Sequence, residues 1–171
     1  VDADLGLANV DILLGLTPRF TLESALRGEC AIFDATVQGP EGLTIIPAAS
    51  GIGESNAWRT GDMVTLQEDL SRLERGFDLI LIDTGAGISS KVTDFVVAAD
   101  QVTIVAVPEP TSIADAYAIL KVSRGLKAGL RANLLVNRAR SSREAYDILT
   151  KFSQIVSRFL DASVGNMGFV L

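Results

Sequence analysis

Short apolar runs alternate along this chain with longer stretches of amphipathic helical pattern, and this alternation is what most constrains its fold. The runs are continuous rather than alternating, which is typical of strands covered on both faces. The predicted strands are residues 43–46, 79–82, 102–107, 132–136 and 169–171. Strands separated by helices predict a single α/β domain over residues 1–171. We expect a doubly wound, mostly parallel sheet with helices on both faces.

Apolar side chains at helical spacing occupy the intervals between these strands. The predicted helical stripes cover residues 63–73, 92–99, 113–120 and 145–159. The last is the longest, and the serines before it predict a helix that begins near Ser141 or Ser142. Ser112 and Asp115 resemble a capping box at the start of the third stripe.

Charge and composition exclude several classes of function. A net charge of −6 argues against a general affinity for nucleic acid. The absence of histidine excludes histidine metal sites and a Ser-His-Asp triad, and the single Cys30 excludes an internal disulfide. There is no apolar run of about 18 residues and no signal peptide at the first residues, so we expect a reduced, cytoplasmic protein.

Neither end of the sequence has the features of a natural terminus. The chain begins with Val1 instead of methionine and stops inside an apolar run, so we interpret it as an internal piece of a longer protein. It contains no G-x-x-x-x-G-K-[ST] motif, the loop that cradles a triphosphate. These residues alone are therefore expected not to bind ATP tightly or hydrolyse it.

Candidate functional residues follow the predicted strands, because ligands of such sheets bind beyond the strands' carboxyl ends. Asp83 ends the run 79–82 and suits a carboxylate that holds Mg²⁺ through water. Gly85 and Gly87 would let the backbone approach a phosphate. The alternative for Asp83, equally open from the pattern, is a turn or a helix cap.

Two further groups have a functional and a structural interpretation. Asp2 and Asp4 alternate, so in an extended segment their side chains share a face and could hold a metal or orient a water. Asn137 could bind the edge of a base, having both a donor and an acceptor. By pattern alone, a solvated acidic turn and an Asx-turn are the more common readings of these two groups.

Five blocks of this sequence, in order, resemble the MinD/ParA family of deviant Walker A ATPases. Within that family the likeness is strongest to the flagellar-number regulators (FlhG, FleN or YlxH) and to MinD. The blocks are DADLGLANVDILLG at 2–15, LTIIPAASGIG at 43–53, DLILIDTGAGIS at 78–89, PEPTSIADAY at 108–117 and NRA at 137–139. Residues 165–171 are similar to the family's last core strand.

The resemblance implies a P-loop NTPase-like domain of the SIMIBI class that binds ATP or ADP with Mg²⁺. It implies a homodimer that forms around ATP, an activating protein partner, and regulation of flagellar number or placement or of the division site. The family's first strand and P-loop would lie upstream of Val1, and its membrane-binding C-terminal helix is not among these residues. A ParA-type partition ATPase and a non-catalytic interaction module are the alternatives; nucleic acid is not the expected partner.

The resemblance also implies roles for individual residues. Asp4 would orient the attacking water, Asp2 would support Mg²⁺, and Asp83 would hold Mg²⁺ through water. Nucleotide contacts are implied for residues in the loops after the strands: Gly85, Gly87, Asn137 and Arg138.

Overall fold

The computed structural model describes residues 1–4, 7–49 and 62–171, and these residues form two compact units, Val1–Ala86 and Gly87–Leu171. Each unit is described by itself. The parts of the 2–15 and 43–53 blocks at residues 5, 6 and 50–53 lie outside the described residues.

The second unit contains a parallel three-stranded sheet. Its strands are β3 (Gln101–Ala106), β4 (Arg131–Val136) and β5 (Gly165–Phe169), in the order β3-β4-β5. Its helices are α4 (Ser90–Ala98), α5 (Pro110–Leu126) and α6 (Ser142–Leu160). Helices α5 and α6 connect successive strands, as the predicted strand-helix alternation requires. The parallel α/β architecture is therefore confirmed.

The core of this unit lies between one face of the sheet and helices α5 and α6. Leu134 and Val136 of β4 meet Leu120 of α5 and Phe152 of α6, and all four are at most 1% exposed. On the other face of β3, Thr103 and Val105 are exposed, and Val105 retains 57% of its surface.

The start of α6 agrees with its prediction. Ser141 is the N-cap residue and its hydroxyl accepts a hydrogen bond from the Glu144 N–H at 3.2 Å, while the Glu144 carboxylate accepts one from the Arg140 N–H at 2.7 Å. The capping box predicted at Ser112 is wrong, because α5 already begins at Pro110 and the Ser112 hydroxyl accepts instead from the Val107 N–H. Proline suits a first helical turn, since its missing N–H would have no helical partner there.

We expect Ser141→Ala to lower the free energy of unfolding by about 1 kcal/mol, since the Glu144 N–H loses its acceptor. Chemical denaturation measures the change. Ser142→Ala, one residue on and exposed, is the matched control and is expected to change stability by no more than about 0.5 kcal/mol. Equal losses in both variants would contradict the assignment of Ser141 as the cap.

The first unit contains short elements. Its helices are α1 (Val10–Leu14), α2 (Leu22–Leu26) and α3 (Asp62–Leu73), and β1 (Val37–Gln38) pairs antiparallel with β2 (Thr44–Ile45). Short 3₁₀ turns cover Ile32–Ala35, Pro40–Gly42 and Glu74–Gly76.

Among the described residues, no strand forms at the predicted positions 79–82, and an isolated parallel bridge instead joins the following residue, Asp83, to Asp2. The Asp83 N–H donates to the Val1 carbonyl at 2.9 Å, and the Ala3 N–H donates to the Asp83 carbonyl at 2.7 Å. A longer ladder needs a partner for successive residues on the same edge, and within the described ranges the pairing does not extend beyond this bridge. Leu79 and Leu81 accordingly remain 72% and 71% exposed. None of the helices in the described ranges is long and apolar enough to cross a membrane.

Candidate functional site

The Asp2 carboxylate is buried and holds the loop that follows it. Asp2 is 3% exposed, and its two oxygens accept hydrogen bonds from the N–H groups of Asp4 (3.1 Å), Asn9 (3.3 Å) and Val10 (3.4 Å). Three donors compensate the desolvation that a buried carboxylate suffers. Asp2 therefore fixes both Asp4 and the start of α1, and presents no unpaired oxygen.

Asp4 lies directly against Gly85. A Cβ placed on Gly85 would be 3.2 Å from Asp4 Oδ1, closer than most side chains approach. The same oxygen accepts a hydrogen bond from the Leu7 N–H at 3.2 Å, and Asp4 is partly exposed. The glycine at position 85 thus permits a close approach between the Asp4 carboxylate and the loop after Asp83.

Asp83 completes this group through its bridge to Asp2. Its side chain is exposed, yet its pKa is raised above the ordinary value, first by desolvation and then by the charges of Asp2 and Asp4. The carboxylates are thus close enough for each negative charge to oppose the next.

The first unit therefore brings together four residues singled out from the sequence: Asp2, Asp4, Asp83 and Gly85. Carboxylate oxygens are the ligands that Mg²⁺ prefers, and Mg²⁺ commonly uses only one or two of them, together with waters and phosphate oxygens. Asp83, whose side chain is exposed, fits that pattern. In the described ranges, no group of three His, Cys, Asp or Glu side chains is arranged to hold a metal by itself.

The other predicted site residues belong to the second unit. Asn137 follows β4; its N–H donates to the Ala106 carbonyl at 2.8 Å and its side-chain Oδ1 accepts from the Arg138 N–H at 2.9 Å. Arg138 is exposed and has φ of 58°, and Gly87 has φ of 98°. The Asn137 oxygen is thus engaged by the adjacent N–H and not by the N–H two residues on that an Asx-turn would use, while its amide N–H₂ has no hydrogen-bond partner in the part of the chain that the structure describes.

Cys30 has a raised pKa, caused first by desolvation and then by the nearby charges of Asp34 and Glu29. A thiol of this kind is less reactive, since the thiolate is the nucleophile.

Sequence reasoning missed Glu23, which is 1% exposed on α2. The helix comprises only five residues, and an acidic residue in its first turn has the pattern of an ordinary exposed position. No local signal predicts its burial.

The chain matches no protein-family model, but it is similar to curated proteins and to solved structures. Antiactivator FleN of Pseudomonas aeruginosa is 39% identical over 170 residues, which is 99% of this chain and 61% of the relative. The flagellum site-determining protein YlxH of Helicobacter pylori is 33% identical over 155 residues, 90% of this chain and 52% of the relative. The chain therefore spans about half to two thirds of the length of these relatives.

Among solved structures, the cell division ATPase MinD of Pyrococcus furiosus has a TM-score of 0.70 and 28% identity, covering 87% of this chain and 65% of that one. The resemblance that the five sequence blocks indicated is confirmed by these matches. With FleN and YlxH as homologues along nearly all of its length and the fold of MinD, the chain belongs to the MinD/ParA family.

Proposed function

We propose that the protein containing this chain is an ATP-hydrolysing, nucleotide-switched regulator of flagellar number or placement. The juxtaposition of Asp4, Asp83 and Gly85 is the observation that carries the proposal. Homology to an antiactivator and to a flagellum site-determining protein favours this role over division-site selection.

The proposed roles of the three carboxylates follow their exposure to solvent. Asp83, exposed and near two other carboxylates, would hold Mg²⁺ through a bound water; when present, Mg²⁺ and the nucleotide supply the charge compensation and the phosphoryl group. Asp4 would orient the attacking water and accept a proton from it. Asp2, with both oxygens bonded to backbone N–H groups, would support the metal site by keeping Asp4 in place.

The loop from Asp83 to Gly87 would respond to the nucleotide. Gly85 lets this loop lie on Asp4, and Gly87 has a backbone conformation that favours glycine. Asn137 and Arg138 would contact the base, for which the amide N–H₂ of Asn137 is the available donor.

The partners and location belong to the same proposal. We infer a homodimer around ATP, an activating protein partner and a cytoplasmic protein, with any membrane contact made by residues outside this chain. The name antiactivator for the Pseudomonas relative favours a protein partner.

The decisive experiment measures ATP turnover by the full-length protein with Mg²⁺ and with the metal removed by chelation. We expect turnover that disappears on chelation and returns with added Mg²⁺. Absence of Mg²⁺-dependent turnover, with and without the candidate partner, would contradict the proposal.

A separate prediction concerns residues 1–171 by themselves. They contain no P-loop motif, so we expect calorimetry to detect no ATP binding with a Kd of about 1 µM. We expect the full-length protein to bind ATP in the same measurement. A Mg²⁺-dependent micromolar affinity of the isolated chain would show that the carboxylate site (Asp2, Asp4 and Asp83) suffices for nucleotide binding without a P-loop.

A further inference from the structure

Glu23 is a second buried carboxylate in the first unit, and its bonding differs from that of Asp2. Its Oε2 accepts a hydrogen bond from the Ala49 N–H at 2.8 Å, whereas its Oε1 is buried and has no hydrogen-bond partner among the described residues. Within residues 1–4, 7–49 and 62–171, no lysine or arginine forms an ion pair with it. One N–H group is thus its only compensation among the described residues.

Such an arrangement is not explained by stability alone. A buried carboxylate that lacks a cation and a full set of donors is costly, and an apolar side chain of similar size often stabilises a fold as well or better. Asp2, in contrast, accepts from three N–H groups. A carboxylate at position 23 provides a hydrogen-bond acceptor for the Ala49 N–H, which leucine would not.

That hydrogen bond is one of two by which α2 holds the chain after β2. The Leu22 N–H donates to the Pro47 carbonyl at 2.8 Å, next to the bond from Ala49 to Glu23. Two consecutive residues of α2 therefore fix residues 47–49.

The same segment reaches the carboxylate site at its other end. The Ile46 carbonyl accepts a hydrogen bond from the Asp2 N–H at 2.9 Å, and Ile46 and Ala48 are 4% and 1% exposed. A closely packed interior leaves such a segment little freedom to shift at one end alone. Its position at Ala49 therefore bears on the position of Asp2.

We propose that Glu23 is a positioning residue of the carboxylate site, holding residues 46–49 so that Asp2, and through it Asp4, keep their places. This role requires no contact between Glu23 and the nucleotide or the metal. The inference rests on the proposed ATPase function and adds a residue to it.

The test uses the full-length protein with Glu23→Leu and Glu23→Gln. Leucine removes the acceptor but keeps the volume, so we expect a folded protein with kcat lowered about tenfold and KM within about twofold. Amide exchange measured by NMR should become faster at both Ala49 and Asp2. Glutamine retains an acceptor oxygen, so both the protection of Ala49 and kcat should return to near the original values.

Glu29→Gln is the matched control, since Glu29 is exposed and pairs only loosely with Arg27 at 3.9 Å. It should leave turnover and exchange unchanged. Unaltered kcat in Glu23→Leu, or equal losses in the leucine and glutamine variants, would overturn the role of Glu23. Absence of turnover in the unsubstituted protein would instead reject the proposed function. Even then, slow amide exchange at Ala49 in Glu23→Leu would show that Glu23 does not hold residues 46–49.

Discussion

Asp4→Asn in the full-length protein is expected to reduce ATP turnover by about 100-fold or more while nucleotide binding is retained. A group that orients water and accepts its proton commonly contributes this much to a rate. Asparagine keeps the size of the side chain and an oxygen that can accept from the Leu7 N–H, so the local structure should persist. Steady-state turnover and calorimetric affinity for ATP together separate the two effects.

Asp11→Asn is the matched control for Asp4. Asp11 lies in the same acidic segment, but its Oδ1 accepts from the N–H of the adjacent Ile12, at 2.8 Å. We expect turnover within about twofold of the unsubstituted protein. Full activity in Asp4→Asn, or a comparable loss in Asp11→Asn, would reject the assignment of the water-orienting role to Asp4.

Asp83→Asn is expected to lower turnover to an equal or greater extent, by about 100-fold or more, since charge neutralisation at the phosphates depends on the metal that this carboxylate would hold. Raising the Mg²⁺ concentration should restore part of the activity if the lost interaction is with the metal. Titration of turnover against Mg²⁺ measures this shift.

The same Asp83→Asn substitution is expected to leave the stability of the fold unchanged or to raise it, although it lowers turnover. Its folded-state pKa is raised, so its protonation favours folding at low pH, and this contribution is lost as the pH rises through the raised pKa. At neutral pH the ionised carboxylate faces Asp2 and Asp4, and Asp83→Asn removes that repulsion. Thermal unfolding should therefore occur at the same or a higher temperature in the variant.

Asp78→Asn, five residues earlier and exposed, serves as the control for Asp83 and should leave turnover and its Mg²⁺ dependence unchanged. A variant at Asp83 that unfolds at a markedly lower temperature would show that the carboxylate contributes to the fold. In that case a loss of turnover would no longer indicate a metal site.

Elements with strong local signals agree with the sequence. The apolar runs at β3 and β4 and the stripe of α6 depend on contacts between near neighbours in the sheet and helix, and the structure places all three within a residue or two of their predicted bounds. The residues of β5 were predicted less well. Its strand covers Gly165–Phe169, whereas the apolar run predicted 169–171, because backbone pairing with β4 places glycine and asparagine in a strand that composition does not indicate.

The candidate site was predictable in its membership and less so in its bonding. Because ligands bind beyond strand ends, the sequence predicts that Asp2, Asp4 and Asp83 belong to one site, and the structure places these three residues close to one another. The hydrogen bonds to Asp2 Oδ2 depend on how the chain turns back at Asn9, and the hydrogen bond to Glu23 comes from Ala49, 26 positions later. Periodicity in one segment carries no information about such distant contacts.

The contact between Gly85 and Asp4 places two distant stretches of the sequence under one steric constraint. A methyl group at position 85 would push against the Asp4 carboxylate, so an alanine there would require the Asp4 side chain to move. If Asp4 orients the attacking water as proposed, a backbone change at Gly85 would alter the position of that carboxylate directly. The timing of hydrolysis and the conformation of that loop would then be a single property of the molecule.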